Sequence, residues 1–222
     1  MDDQRIKQAV LEVIARSVDP RALAAALEPE LSDGPRPGRD APAPPREPGT
    51  RKLLVRVVLG DILDDAILSA RPQDRTFPLR LLFSELGRLL ATEAEEGPEA
   101  QASEQAFTLA SGLNFFFRAP MDDEARLRLG IEVSRQLYAL ADTAKLDADL
   151  VSRAAPLVAA LMTTQLERVK LESVDHMKVF DSQLHDRTAG SDPTGARILR
   201  PASFLCRVAA NGAIKAKAQV VT

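Results

Sequence analysis

The chain has 222 residues, 45% apolar, 27% charged and 4% aromatic, which is enough apolar chain for one soluble domain with appendages. Its 29 basic residues against 32 acidic ones leave a net charge of -3, which excludes a chain that is basic throughout and binds nucleic acid everywhere. No apolar run reaches the roughly 18 residues that span a bilayer, and the acidic, polar opening MDDQRIKQAV does not read as a signal peptide, so no membrane association and a cytoplasmic location are expected.

Residues 1–30 place Ile6, Val10, Val13, Ile14 and Val18, then Ala22, Leu23, Ala26 and Leu27, at spacings of three and four. That pattern predicts an amphipathic arm of two helices meeting at Val18-Asp19, with Asp19 as the cap and Pro20 opening the second. Residues 31–49 follow as a linker. Between Asp33 and Gly49, six prolines and three glycines fill nine of seventeen positions, so it is extended and semi-rigid.

A helical bundle is expected from residue 50 to 178. Arg51 to Ala70 carries Ile62, Ala66 and Ile67 at helical spacing. Further helices are expected from Pro78 to about Glu93, from Glu99 to Arg118 and from Asp122 to about Lys145, separated at Arg71-Pro72, Gly97-Pro98 and Ala119-Pro120. Asp122, Asp123 and Glu124 suit the positive end of the helix dipole, and Leu129, Val133, Leu137, Leu140 and Ala144 form the apolar stripe. A last helix, starting at Asp147 or Pro156, is expected to run through Leu157, Leu161, Leu166 and Leu171 toward Met177, its polar second half leaving the bundle.

Residues 179–222 are expected to form a small β-containing segment. From Ile198 the pattern has period two, and Asn211-Gly212 signals a hairpin. A three-residue loop, Ala210-Asn211-Gly212, pairs Val208 with Ile214, Cys206 with Ala216 and Phe204 with Ala218 on one face. It pairs Arg207 with Lys215 and Leu205 with Lys217 on the other. Gly212 is then left-handed with a bulge beside it. The fold class is therefore mainly α, a helical bundle with a small C-terminal β-hairpin unit.

Catalytic chemistry finds little footing. Asp61, Asp64 and Asp65 read as a solvated face rather than a magnesium cluster. Phe115, Phe116 and Phe117 point three ways from a helix and read as packing between neighbouring helices, with a partner surface as the rival. His176 and His185 are nine residues apart, unlike a helical metal pair, and the glycines form no phosphate-cradling loop. Cys206, the single cysteine, reads as a buried hydrophobe. No catalytic residue, metal or cofactor is expected, and the protein reads as a non-enzyme. From Pro193 onward, Arg197, Arg200, Arg207, Lys215 and Lys217 stand without any acidic residue, a local charge of +5. That tail could meet phosphates or an acidic protein, but it lacks the aromatic platform of a single-strand binder, which makes nucleic acid the weaker partner.

Near this tail, Phe180-Asp181-Ser182-Gln183-Leu184-His185-Asp186 resembles the FDPxLHEA segment that opens the β domain of GrpE-type nucleotide exchange factors. Phe180, Asp181, Leu184 and His185 match, whereas Ser182 replaces a proline and Asp186 a glutamate. Gly212, Ala218 and Val220 keep the offsets of that family's closing strand, with Ala216 in place of its arginine. The resemblance covers about residues 165–222. It implies a cochaperone that binds an Hsp70-like ATPase and promotes ADP release through a wedge-like β domain. The expected contact residues are Phe180, Asp181, Leu184, His185, Arg200, Phe204, Arg207, Lys215 and Lys217. The departure is a bundle of shorter helices and a proline-rich arm where that family has a long paired helix. A helical adaptor or structural subunit of a larger homo- or hetero-oligomer is the alternative, and a nucleic-acid accessory protein using the basic hairpin is the third reading.

Overall fold

The computed structural model describes residues 73–222 except Glu93 and Glu95. The expected arm at 1–30, the linker at 31–49, the helix from Arg51 to Ala70 with its three aspartates, and the break at Arg71-Pro72 lie outside the described residues. Among the described residues the protein is mainly α: four helices carry a C-terminal unit of two three-stranded sheets.

The helices are α1 (Gln73–Leu90), α2 (Gly97–Arg118), α3 (Asp123–Thr143) and α4 (Ala148–Thr163). Their ends follow local chemistry. Pro98 sits in the first turn of α2, where its missing N–H costs nothing. Asp122 caps α3 by accepting from the Ala125 N–H at 2.7 Å, and Asp147 caps α4 by accepting from the Asp149 N–H at 2.9 Å. At the end of α3 the chain turns through Lys145 at φ 50°, with the Leu146 N–H donating to the Ala141 carbonyl at 2.9 Å. Arg126 reaches back to donate to the carbonyls of Phe116 and, at 3.3 Å, Ala119, closing the C-terminal end of α2.

The α2 helix packs on α3, and α1 packs on both α2 and α4. Leu79, Leu86, Leu90, Phe116, Val133, Leu137, Leu140 and Met162 are almost wholly buried between them. Two glycines let the helices approach closely. A Cβ on Gly112 would stand 3.0 Å from both Gln136 Oε1 and Val133 Cγ2, and one on Gly130 would stand 3.0 Å from Phe116 Cε2 and 3.2 Å from Leu171 Cδ1. Phe116 is buried, and Phe115 and Phe117 both pack against the same core, so the phenylalanine triplet serves packing.

The last helix stops at Thr163, well short of Met177, and the stretch expected to leave the bundle folds back as β1 (Val169–Glu172). Val169 and Leu171 point inward while Lys170 is exposed, a period of two. Thr163 fixes the reversal, its hydroxyl accepting from the Leu171 N–H at 2.9 Å and donating to the Ala159 carbonyl at 2.8 Å. The strand-bearing region thus begins before residue 179.

The remaining strands are β2 (His185–Arg187), β3 (Arg200–Pro201), β4 (Leu205–Val208), β5 (Ile214–Ala216) and β6 (Ala218–Val221). One sheet has the antiparallel order β1-β4-β5. The other has the order β2-β6-β3, with β2 parallel and β3 antiparallel to β6. A single hairpin is therefore replaced by a change of sheet at Lys217, between β5 and β6.

The expected pairing of Cys206 with Ala216 holds, and Gly212 is left-handed at φ 70°. The bulge lies at Lys215, because Arg207 pairs with Ile214, and the loop runs from Ala209 to Gly212 with the Val208 N–H donating to the Ala213 carbonyl at 2.7 Å. Ala218 pairs with His185, not Phe204. Strand β4 also departs from the expected one-sided burial. Phe204 and Cys206 belong to the helical core, while Leu205 enters a second, smaller core with Val174, Ile198, Ala218 and Val220. A strand buried on both sides joins the two layers.

Candidate functional site

The FDxxLHD segment folds as a turn pinned from within. The Asp181 side chain accepts from the Gln183 N–H at 2.8 Å, and its carbonyl accepts from the His185 N–H at 2.8 Å. The Asp181 N–H donates to His185 Nδ1 at 3.0 Å, so the imidazole is neutral with its proton on Nε2, which faces Met177 Sδ at 3.3 Å. His185 is 1% exposed, and burial pushes its pKa below the usual histidine value against the opposing pull of the Asp181 carboxylate. The ring of Phe180 lies 5.9 Å from that of His185, and the Arg187 guanidinium lies over the Phe180 ring, 3.7 Å from its centre. Arg187 also donates to Thr222 Oγ1 at 3.2 Å and to the Gly195 carbonyl at 2.9 Å, tying β2 to the last strand.

The residues expected to meet a partner separate into two groups. His185 and Phe204 are buried, and Phe180 and Leu184 are half-buried against the small core. Phe204 stands edge-on to Tyr138 at 5.9 Å, and its N–H donates to Ser134 Oγ at 3.0 Å. It is 0% exposed, so its role is to dock β4 on α3, and its assignment as a contact residue is corrected. The same holds for His185, whose ring is spent on the turn. Asp181, Arg200, Lys215 and Lys217 are exposed and Arg207 is half-buried.

The basic tail is largely matched within the chain. Arg207 pairs with Glu172 at 3.0 Å, Lys215 with Glu124 at 2.8 Å, Lys217 with Asp186 at 3.5 Å and Arg200 with Asp142 at 3.3 Å. The Lys215 partnership holds the Glu124 carboxyl below its ordinary range and raises the Lys215 ammonium. A local charge counted along the sequence therefore overstates what a phosphate backbone would meet. Cys206 is fully buried, and burial pushes its thiol up to about 11, as suits an inert packing residue.

A cleft of about 260 Å³ lies between α3, the start of α4 and the segments 175–178 and 199–201. Ala141, Leu146, Val151 and Pro201 give it an apolar lining, and Asp142, Lys178 and Arg200 sit with them. At its base Tyr138 donates to Asp175 Oδ2 at 2.5 Å, and the Ser173 hydroxyl donates to the same oxygen. Burial and the Asp175 charge together raise the Tyr138 pKa, so the phenol stays protonated. Leu199 lines this cleft, 67% exposed, and Val179 nearby is 70% exposed. Sequence reasoning singled out Arg200 here and missed Tyr138, Asp175, Lys178, Val179 and Leu199. Among the described residues no three His, Cys, Asp or Glu side chains gather as a metal site, and no helix is long and apolar enough to cross a membrane.

No family model, curated protein or solved structure matches the chain.

Proposed function

We propose that this protein is a non-catalytic protein-interaction factor of the cytoplasm, acting as a GrpE-like exchange factor for an Hsp70-like ATPase. The observation that carries this reading is the FDxxLHD turn. Phe180, Asp181, Leu184 and His185, the four residues behind the resemblance, act together to open a compact β unit seated on a helical body. A β unit of this kind can work as a wedge without any chemical step. On this reading Phe180 and His185 keep the unit in shape, while the exposed Asp181, Arg200, Lys215 and Lys217 are open to a partner.

The test is release of a fluorescent ADP analogue from Hsp70-type proteins of the source organism, with the full chain added in stoichiometric amounts. Faster release, lost on Arg200→Glu with the fold retained, is the expected result. No acceleration with any such ATPase would overturn the reading.

A second reading, a helical adaptor within a larger assembly, draws on Phe77 and Leu81. These side chains, 57% and 39% exposed, sit one turn apart on α1. Deleting residues 1–49 is expected to abolish assembly under that reading and to spare exchange activity under the first. The matched charges of the basic tail weigh against the nucleic-acid reading, which requires binding that weakens steeply with salt.

A further inference from the structure

We propose that the cleft between α3, α4 and β3, with Val179 and Leu199 beside it, docks an extended segment of a partner protein that presents an apolar side chain flanked by carboxylates. This rests on the reading of the protein as a protein-interaction factor and names the chemistry of the partner.

The first support is exposure. Val179 and Leu199 are among only four large apolar side chains exposed in the described residues. They lie on adjoining segments: Val179 bridges Arg197, and the Ile198 N–H donates to the Lys178 carbonyl at 3.0 Å. An apolar pair beside a concavity marks a binding surface more often than isolated exposed residues do. The second is size. A cleft of about 260 Å³ lies just below the usual range for small-molecule pockets and suits one inserted side chain, not a nucleotide.

The third support is charge. Among the described residues Lys178 has a single partner, the Asp175 carbonyl at 3.2 Å, and Arg197, which bridges Val179 and lies outside the cleft lining, pairs with no carboxylate. Arg200 makes one contact at 3.3 Å to Asp142, with both side chains about half exposed. These three cations retain N–H donors with no partner among the described residues. Of the two carboxylates of the cleft, Asp175 accepts from the hydroxyls of Tyr138 and Ser173, while Asp142 offsets Arg200 through that one contact. An incoming segment therefore finds unused donors, and carboxylates on it complement them. Lys215 and Lys217 are matched to Glu124 and Asp186 at 2.8 and 3.5 Å, so within the C-terminal basic run the cations less fully matched are Arg197 and Arg200, beside the cleft.

The test is fluorescence anisotropy with the full chain and three fluorescein-labelled hexapeptides: glutamate alternating with leucine, lysine alternating with leucine, and glutamate alternating with serine. The glutamate-leucine peptide is expected to bind at least about tenfold more tightly than the other two. Leu199→Asp and the double variant Lys178→Glu with Arg200→Glu are each expected to weaken it about tenfold, while Arg88→Ala, an exposed cation on α1 away from the cleft lining, leaves it unchanged. All the substituted side chains are exposed, and circular dichroism melts check that the variants fold. No binding of the glutamate-leucine peptide, binding indifferent to Leu199→Asp, or preference for the lysine-leucine peptide would overturn the proposal. ADP release measured in parallel separates the two claims. Peptide docking without accelerated release removes the exchange-factor reading alone, and accelerated release without peptide docking removes this one alone.

Discussion

Between α1 and α4 the buried apolar side chains are leucine, phenylalanine, alanine, valine, methionine and Tyr138, and the buried polar ones, Thr76, Ser103, Asn114 and Ser134, are few beside them. From Val174 to Thr222 only five buried apolar residues, Val174, Ile198, Leu205, Ala218 and Val220, form the second core, and His185, Ser203 and Thr222 are buried around it. The helical layer is held by volume, which tolerates a shift of a few tenths of an ångström. The β unit is held by directed contacts: Asp181 N–H to His185, Ser203 Oγ accepting from the Gln219 N–H at 2.8 Å, and Thr222 Oγ1 donating to the Asp192 carbonyl at 2.7 Å. A small unit that cannot bury much apolar surface substitutes polar pins for it. The difference implies that the helical layer is the scaffold and the β unit the part whose shape can be disturbed by a single hydrogen bond.

Truncation in the helical layer should give the largest effect. Phe116→Ala leaves a cavity against Gly130 and the Arg126 cap and is expected to cost about 3–5 kcal/mol in denaturant unfolding. At the junction, Ser134→Ala removes the acceptor for the buried Phe204 N–H and is expected to cost about 1–3 kcal/mol. A loss as small as that of an exposed serine would show that α3 does not anchor β4.

The β unit is expected to respond to pH where the helical layer does not. The folded pKa of His185 lies below its unfolded value near 6.5, so below about pH 6.5 the unfolded chain binds a proton that the folded chain refuses. Stability is therefore full above that pH and falls as pH drops toward the lower folded value. Protonation also sets an N–H against the Asp181 N–H. His185→Gln keeps an acceptor but cannot titrate, and its thermal midpoint should fall less than that of the wild type between pH 7.5 and 5.5. Equal falls would remove His185 as the cause. The smallest effect is expected at Lys145, whose left-handed backbone glycine adopts without penalty. Lys145→Gly should stabilise the protein by about 0.5–1 kcal/mol.

Much of the helical layer was legible because its punctuation is local. Gly97-Pro98, Ala119-Pro120, Asp122 and Asp147 act within one turn, and each marks a boundary in the structure. The end of α4 was not, because Thr163-Thr164-Gln165 contains no glycine or proline. Leu166 and Leu171 continue a helical spacing, whereas Val169 and Leu171 equally fit the strand they form. The change of sheet at Lys217 was hidden for a similar reason, since Ala216, Ala218 and Val220 alternate smoothly across the break. At the site, Arg200 could be named from its charge. Val179 and Leu199 could not, because apolar residues in strand-like segments are expected inside, and only the paired backbones around them reveal that they face out. His185 and Phe204 show the converse: a residue that matches a motif, or one expected at a contact, can be buried in the fold.

Residue-resolved hydrogen exchange on the wild type and His185→Ala tests the contrast most directly. Amides of β2, β3 and β6 are expected to open at a lower free energy than those of α2 and α3 in the wild type, and His185→Ala is expected to lower the first set while leaving the second unchanged. Exchange of both sets at one common free energy, shifted together by the substitution, would contradict that contrast.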